Sequence, residues 1–367
     1  MFKVLCGCLL SLTAVTGICA QVIPFNSPRW NIDAKESKIG DYLGQKAFYL
    51  KGGGAVIKDA GFTNGTIEFD IAVTGERGFM GAVWRMTDSV NYENFYIRPH
   101  QSGNPDANQY TPVFNDIAAW QLYYGDAYAA PVKYTNNQWM HIKIAVSGKY
   151  AEVYIQDMEK PALFVSDQKM PVRSGAVGLS NGNFAGAWFS NFQFTRSENQ
   201  KLKGTPTPPK ETPPGTITAW YVSSTINETA LANMTTLPAS ITKNLTWKKL
   251  ECESTGLANL ARIQGITDSA NTAFAKVTVV SDKDQIKKLT FGFSDRVRVY
   301  CNNKILYSGT DNYVSRDYRF LGTIGFYDAV YLPLQKGSNE IWMAVSEDFG
   351  GWGIQAIFED TQGITIK

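Results

Sequence analysis

The sequence predicts an all-β protein made of two β-sandwich (jelly-roll) domains joined by a proline-rich linker. Short segments of alternating apolar and polar residues recur along the chain and are separated by Gly, Asn and Asp. Five prolines lie between Pro206 and Pro214. Alternation with period two is typical of half-buried strands, because successive side chains of a strand point to opposite faces. Many short strands with turn residues between them favour antiparallel sandwiches.

The first twenty residues have the pattern of a secretory signal peptide. Lys3 precedes an apolar run from Val4 to Val15, and small residues lead to Ala20, where we predict cleavage. The run is too short for a membrane-spanning helix, and no later segment resembles one. We therefore expect an exported protein, secreted or periplasmic, with no integral membrane segment.

Charge and cysteine content exclude several function classes. Lys and Arg number 35 against 33 Asp and Glu, and no basic stripe occurs, so nucleic acid is not an expected partner. Beyond the signal peptide only Cys252 and Cys301 remain, each in phase with apolar strand neighbours. Two buried free thiols and one disulfide both fit this pattern, and cysteine chemistry is not the expected basis of an activity.

The linker sets the predicted domain boundaries. Residues 199–215 contain the run KLKGTPTPPKETPPG, whose prolines rule out a helix or a central strand and favour a stiff extended segment. It separates a first domain, 21–198, from a second domain, 216–367. Both are long enough to bury a core of their own. The oligomeric state stays open.

Alternating segments follow one another through both domains. In the first domain TIEFDIAV and WMHIKIAV each place four apolar residues on one face, and AEVYIQDM, GAVGLSNG and AWFSNFQF complete the set. The second domain repeats the pattern in AKVTVVSD, KKLTFGF, DAVYLPLQKG, NEIWMAVSE and WGIQAIFED. Asn302 and Asn303 predict a two-residue hairpin turn, because Asn tolerates positive φ. We predict one short helical stretch, around Thr255–Ile263.

The stretch from Gly78 to Gly125 is unusually dense in rings and hydrogen-bonding side chains, and we interpret it as three strands. In its middle strand Phe95 and Ile97 alternate with Tyr96, Arg98 and His100. The apolar pair is expected in a core and the polar trio on the opposite face. That face suits a polyhydroxylated ligand such as a sugar, and an ordinary solvated sheet face is the alternative.

Neighbouring segments extend this candidate binding face. Whether Trp84 or Arg85 joins it depends on strand register. The polar segment 101–119 is expected to be a long loop that reaches the same ligand, and WQLYYG is expected to add a strand. The candidate ligand-binding residues are Arg85, Tyr96, Arg98, His100, Asn104, Gln109, Trp120, Gln121 and Tyr123.

Hydrolysis of a glycosidic bond would need two carboxylates about 5–10 Å apart. Glu93 and Asp106 are candidates near His100, which titrates close to neutral pH and could serve as acid or base. Glu68 and Asp70 share one face of a strand. Structural or surface roles are the alternative for all these carboxylates.

Metal and cofactor signals are weak. The two histidines, His100 and His141, have no ligand spacing, so we predict no zinc site and no cofactor. Calcium stays open as an alternative, with Asp282 and Asp284 as candidate ligands.

The first domain resembles the concanavalin A-like (laminin G-like) sandwich and, more narrowly, the bacterial family of uncharacterised secreted domains labelled 3-keto-disaccharide hydrolase. The resemblance covers most of 24–196 and lies in NGTIEFDIAV, FMGAVWRM, NYENFYIRPHQSG, WQLYYG and VGLSNGNFAGAWFSNFQF. It implies a fold that hosts lectins, glycan hydrolases and interaction modules. Concanavalin A-like endoglucanases carry a Glu-x-Asp-x-x-Glu strand, and Val73 stands here in place of the second glutamate.

The second domain resembles the galactose-binding-like jelly roll, as in the sugar-binding domain of family 2 glycoside hydrolases. The resemblance lies in DRVRVYCNNKILYSG, VYLPLQKGSNEIWMAV and FGGWGIQAIF, with Asn303 where that family has glycine. Together the resemblances imply an exported carbohydrate-recognition protein that binds glycans on the first domain. A glycoside hydrolase and a structural or protein-interaction module are the alternatives.

Overall fold

The structure, a computed structural model, describes residues 21–317 and 319–367, so the predicted signal peptide lies outside the described residues. Nearly all regular structure is β-strand, which confirms the all-β prediction. One short helix, α1 (Ala239–Thr242), and three 3₁₀ turns, Pro99–Gln101, Glu228–Leu231 and Leu260–Arg262, complete the described elements. None of the helices in the described ranges is long and apolar enough to cross a membrane.

Twelve strands of the first domain belong to one curled, antiparallel sheet. They are β1 (Trp30–Tyr42), β2 (Gln45–Phe62), β3 (Gly65–Ala72), β4 (Met80–Asp88), β5 (Asn91–Ile97), β6 (Asn108–Phe114), β7 (Ile117–Ala118), β8 (Met140–Ser147), β9 (Tyr150–Ile155), β10 (Leu163–Val165), β11 (Gly175–Asn181) and β12 (Ala187–Arg196). The order is β10-β9-β8-β3-β12-β2-β11-β4-β5-β6-β7, with β1 paired to β2.

Strand β2 divides this sheet into two layers. Its first part pairs with β12 and its last part with β11, so the two groups of strands are joined only through β2 and its partner β1. Gly52 and Gly53 lie between these parts with φ of 62° and 141°. A Cβ at Gly53 would come 2.1 Å from the carbonyl oxygen of Asp33, so only glycine fits there. The layers enclose one core, which includes Phe48, Phe69 and Phe189.

The second domain is a sandwich of a seven-stranded and a four-stranded sheet. Its strands are β13 (Ala219–Ser223), β14 (Trp247–Glu251), β15 (Ala258–Asn259), β16 (Thr272–Ser281), β17 (Gln285–Ser294), β18 (Arg296–Cys301), β19 (Lys304–Thr310), β20 (Asp328–Leu334), β21 (Gly337–Ser346), β22 (Gly353–Phe358) and β23 (Ile364–Ile366). The larger sheet runs β14-β13-β16-β21-β18-β19 with β23 on β16, and the smaller runs β15-β22-β17-β20.

The predicted hairpin turn between β18 and β19 is confirmed. Cys301 pairs with Lys304, and the two asparagines between them have φ of 46° and 72°. Two consecutive residues with positive φ make the turn whose twist matches that of the strands. Cys252 and Cys301 are both free thiols, so the disulfide alternative is not realised.

Three local predictions are wrong. The segment 101–119, expected to be a loop, contains β6 and β7. The segment WQLYYG, expected to be a strand, consists of turns, so β6 is the third strand of the Gly78–Gly125 stretch. The predicted helical stretch Thr255–Ile263 is the two-residue strand β15 followed by one 3₁₀ turn.

The two domains pack against each other closely. Phe114, Ile117 and Met170 of the first domain lie in the core of the second. Leu122 and Tyr123 form a smaller apolar cluster with two residues of the second domain, Leu257 and Ile324. The proline-rich segment between the domains has no helix or strand, as predicted, and lies partly on the first domain through bonds such as Thr207 N–H to Ser166 Oγ (2.9 Å). The boundaries at 198 and 216 stay predictions.

Candidate functional site

The outer face of the layer that contains β5 carries a groove of about 1150 Å³. Strands β1, β2, β11, β4 and β5 supply its floor, and loops of both domains supply its walls. The rings that line it are Phe79, Tyr92, Tyr96, Trp120, Phe184, Tyr313 and Phe349. The polar side chains that line it include Asn31, Asp33, Lys58, Arg77, Asn94, Arg98, His100 and Asp106. This combination makes the groove the candidate site.

Strand β5 places its side chains on the two faces that its alternation predicts. Phe95 and Ile97 are fully buried in the core between the layers. Tyr92, Asn94 and Tyr96 line the groove instead. The carboxamide oxygen of Asn94 accepts a hydrogen bond from Ser180 Oγ on β11 (3.2 Å), so its position on the groove floor is defined.

A buried hydrogen-bond network holds Arg98 in place beside Tyr96. Arg98 is only 7% exposed, and its guanidinium donates to the main-chain oxygen of Asp106 (2.8 Å), to Tyr96 Oη (3.1 Å) and to Gln109 Oε1. Gln109 lies opposite Tyr96 on β6 and donates in turn to the carbonyl oxygens of Trp120 (2.9 Å) and Tyr123 (2.6 Å). The expectation that Gln109 binds a ligand is corrected, because Gln109 is buried and supports the groove wall from beneath.

His100 lies on the 3₁₀ turn that follows β5 and faces the end of the groove. Its Nδ1 accepts a hydrogen bond from the main-chain N–H of Gly78 (3.4 Å), and its ring packs edge-on against Phe79, with centroids 5.5 Å apart. Burial lowers the pKa of His100, and the positive charges of Arg77 and Arg98 lower it further. The imidazole is therefore mainly neutral at pH 7 and can accept or donate a hydrogen bond.

The second domain supplies part of one groove wall. Tyr313 and Phe349 meet Trp120 of the first domain, with ring centroids 6.0 and 5.7 Å from the Trp120 ring. Phe349 remains 60% exposed and Tyr313 39% exposed, so both rings present area to the groove. The groove is therefore composite, because neither domain alone provides all its walls.

Two predicted binding residues lie at the domain interface and outside the groove. Gln121 is fully buried and donates through Nε2 to the carbonyl oxygen of Leu321 (2.9 Å), while Ser294 Oγ donates to its Oε1 (3.2 Å). Tyr123 is buried and donates to Glu253 Oε1 (2.5 Å). The expectation that they face a ligand on a strand is corrected, because their segment is a turn that packs against the second domain.

Arg85 also points away from the groove. It is fully buried and donates to the carbonyl oxygens of Thr63 (2.9 Å) and Gly148 (2.5 Å). The cause is local: Arg85 has φ of 49°, and the register of β4 shifts at this point. Against β11 this irregularity adds one residue to β4 and breaks the alternation, so Trp84 and Arg85 both turn inward while Met86 returns to the groove.

Glu93 is the clearest correction among the catalytic candidates. It lies on the core face of β5, fully buried, where it accepts hydrogen bonds from Tyr110 Oη (2.5 Å) and the Met170 N–H (2.9 Å). Burial raises its pKa to about 7. Because the sheet separates it from His100 and Asp106, the predicted trio does not assemble.

The loop between β5 and β6 contributes three of its four predicted polar residues, Arg98, His100 and Asp106, to the groove. Asp106 lines the groove, with its carboxylate 3.9 Å from the Arg98 guanidinium. Asn104 is exposed on the far side of this turn and donates to Gln101 Oε1 (2.5 Å). The Asn104 side chain therefore forms a hydrogen bond within its own loop and does not line the groove.

Glu68 and Asp70 lie on the other layer of the sandwich, where His141 bridges them. His141 Nδ1 lies 2.7 Å from Asp70 Oδ1, and its Nε2 lies 3.4 Å from Glu68 Oε2. These bonds raise the pKa of His141 to about 9, so the ring is protonated at neutral pH. The arrangement is a surface ion-pair cluster remote from the groove. Within the described ranges, no group of three or more His, Cys, Asp or Glu residues is placed to hold a metal.

Several groove residues were not among the sequence candidates. Asn94 and Tyr92 follow from the same alternation that selected Tyr96, so the sequence carried a signal for them. Arg77 and Phe184 reach the groove from turns, and Tyr313 and Phe349 reach it from the second domain. No local pattern connects these positions with β5.

Comparison with known proteins yields partial structural likenesses. No family model matches the chain, and no curated protein matches it. One similar solved structure is the carbohydrate-binding module CBM66 from Bacillus subtilis, with 20% identity and a TM-score of 0.33 over 46% of this chain and 95% of that chain. Another is a Bacillus subtilis protein of unknown function with a galectin-like fold, with 10% identity and a TM-score of 0.35 over 48% and 98% of the two chains. A β-glucanase from Bacillus licheniformis has 11% identity and a TM-score of 0.35 over 50% and 99%. Likenesses at this level assign no residue and no activity to this chain.

Proposed function

We propose that this protein is an exported carbohydrate-recognition protein that binds a glycan in the composite groove. The proposal includes the finer family assignments, a concanavalin A-like sandwich of the 3-keto-disaccharide hydrolase-like group followed by a galactose-binding-like jelly roll. The observation that carries the function is the groove lining, which combines seven aromatic rings with amide, guanidinium and imidazole groups.

This lining fits the two kinds of surface that a sugar presents. The C–H faces of a pyranose are apolar and stack on aromatic rings, which Phe184, Phe349 and Trp120 offer at the groove rim. The hydroxyl groups need donors and acceptors at defined positions, and Asn94 and Arg98 are held by hydrogen bonds of their own. A rigid, pre-organised lining reduces the entropy that binding costs.

Hydrolysis is the second candidate, because a mainly neutral His100 and the carboxylate of Asp106 face the same groove. Binding is favoured over hydrolysis because Glu93, the other carboxylate candidate, lies behind the sheet. A structural or protein-interaction module is the third candidate. It predicts that Arg98→Ala and Tyr96→Ala leave every ligand interaction unchanged.

The test combines retention and product analysis on one glycan panel. Mature protein is screened for retained glycans, and each mixture is examined by mass spectrometry for new fragments. For a retained glycan we expect Phe184→Ala and Phe349→Ala each to weaken binding about tenfold, since a buried aromatic contact contributes on the order of 1 kcal/mol beyond its area. Tyr331→Ala is the matched control, because Tyr331 is 66% exposed and lies outside the groove.

Three outcomes separate the candidates. Retention that both rim variants weaken, without new fragments, supports recognition. New fragments that His100→Gln abolishes while retention persists support hydrolysis instead. No retention from the panel, or rim variants that bind like Tyr331→Ala, would contradict a glycan site in the groove.

A further inference from the structure

One end of the groove concentrates positive charge among aromatic rings. Arg77, Arg98 and His100 surround Phe79 and Phe184 there, and we name these five residues the cationic corner. The Arg77 guanidinium lies 4.7 Å from the centroid of Phe184, and the Arg98 guanidinium lies 5.8 Å from that of Phe79. Both charges therefore lie on an apolar surface, where water screens them less than on an open polar surface.

The two arginines are incompletely neutralised. All hydrogen bonds of the Arg98 guanidinium go to uncharged oxygens, and the one carboxylate within 4 Å is that of Asp106, at 3.9 Å. Arg77 is exposed, and within the described residues it forms no ion pair. Burial lowers the pKa of His100, and the nearby positive charges of Arg77 and Arg98 lower it further.

The backbone holds this corner in position before any ligand arrives. The carbonyl oxygen of Arg77 accepts from the Ala185 N–H (2.9 Å), and the carbonyl oxygen of Phe79 accepts from the Gly182 N–H (2.8 Å). Two separate chain segments are thus tied together beneath the rings. The Arg98 guanidinium is also held by hydrogen bonds of its own, so it loses little freedom when it pairs with an anion.

We propose that the groove selects an acidic glycan, one that carries a carboxylate or sulfate group, and seats that anion between Arg77 and Arg98. This inference rests on the proposed function and names the substrate class of the same site. Guanidinium groups match carboxylate and sulfate oxygens with paired N–H donors, whereas neutral hydroxyls need no fixed positive charge. The amides of Asn94 and Asn31 elsewhere in the groove serve the hydroxyls.

The test compares three probes of equal length by titration calorimetry: tetragalacturonate, its carboxyl-reduced neutral form, and a κ-carrageenan tetrasaccharide, which carries sulfate groups and no carboxylate. We expect at least one acidic probe to bind about tenfold more tightly than the neutral one, and to weaken as NaCl rises from 50 to 500 mM. Arg77→Gln should bring the affinity for the acidic probe down to that for the neutral probe. Arg196→Gln is the control, because Arg196 is exposed in the same domain, outside the groove.

The two acidic probes identify the anion. Tighter binding of tetragalacturonate indicates a carboxylate, and tighter binding of the sulfated probe indicates a sulfate. Equal affinity for acidic and neutral probes, or an acid preference that Arg77→Gln leaves intact, would overturn the inference while glycan recognition stands. If no acidic probe binds but a neutral glycan of the panel does, the inference also fails alone. Failure of every glycan to bind would defeat both.

Discussion

Replacing Glu93 with Gln tests whether this carboxylate is a buried structural group or a catalytic one. Glu93 is fully buried, and the groups that surround it are the Tyr110 hydroxyl, the Met170 N–H and, at longer range, Arg85 and Lys169. Gln retains an oxygen that can accept from the Met170 N–H and removes the ionisable group. The substitution therefore mimics the protonated acid.

The expected magnitude follows from the pKa. Burial raises the pKa of Glu93 from 4.5 to about 7, so in the unfolded chain the group ionises first as pH rises. Burying the ionised Glu93 carboxylate lowers the free energy of unfolding. This loss is absent below about pH 4.5, grows up to about pH 7 and is complete above it. At about 1.4 kcal/mol for each unit of pKa, the full cost is roughly 3 kcal/mol. Glu93→Gln lacks this cost.

Urea unfolding from pH 5 to pH 8.5 measures the effect. We expect the variant to gain stability relative to the wild type as pH rises, by up to roughly 3 kcal/mol at pH 8. Glu198→Gln, at an exposed glutamate, controls for the lost negative charge. Parallel stability profiles for Glu93→Gln and the wild type would refute the reasoning. If the Glu93→Gln variant folds but has lost glycan retention or turnover, Glu93 has a role in the site.

Three further changes test other parts of the structure. Asp295 and Glu347 are buried neighbours, and each has one carboxylate oxygen without a hydrogen-bond partner. Burial raises the pKa of Asp295 to about 6 and that of Glu347 well above its usual range. Glu347→Gln should therefore raise Tm at pH 8 and change it little at pH 4. An unchanged Tm at pH 8 would contradict this. His141→Gln should lose about 1 kcal/mol at pH 6, because a pKa raised to about 9 stabilises the fold below pH 6.5 and the gain disappears as pH rises through 9. Urea curves at pH 6 and pH 10 that show the same loss would rule out the ion-pair explanation. Gly53→Ala should cost about 2–4 kcal/mol or prevent folding, since its φ is 141° and a Cβ would lie 2.1 Å from a carbonyl oxygen. Denaturation midpoints equal to those of Gly44→Ala, where nothing lies within 4 Å of a Cβ, would show that the close approach is not limiting.

Sequence patterns predicted the parts of the fold that depend on local alternation and turn chemistry. The faces of Phe95 and Tyr96 followed from period two, and the turn at Asn302 followed from the tolerance of asparagine for positive φ. Arg85 was misplaced because a left-handed residue inside a strand interrupts the period, and no residue type at that position announces it. Strand β6 was mistaken for a loop because its polar residues, such as Gln109, satisfy buried partners instead of facing solvent.

The sequence predicted groove residues that lie on β5 or close after it, together with Trp120. Tyr96, Arg98 and His100 are neighbours in sequence and reach the groove together, whereas Phe184, Tyr313 and Phe349 arrive from turns far along the chain. Tertiary packing brings these rings to the groove, and a single sequence does not show which residues of two domains are in contact. The same limit explains why Gln121 and Tyr123 were expected in the site and lie at the interface.

Packing between the domains and the shape of the groove depend on the same short loop. Asp295 Oδ2 accepts from the N–H groups of Asp348 (2.8 Å) and Phe349 (3.1 Å), so this carboxylate sets where the Phe349 ring enters the groove. The next residue, Gly350, accepts a hydrogen bond from the main-chain N–H of Gln121 (2.8 Å), which ties the loop to the first domain beside Trp120. We therefore expect a substitution that breaks these bonds to move the Phe349 wall of the groove, and a ligand that contacts Phe349 to favour the packed arrangement. We therefore expect domain packing and ligand affinity to be linked, because both depend on these bonds.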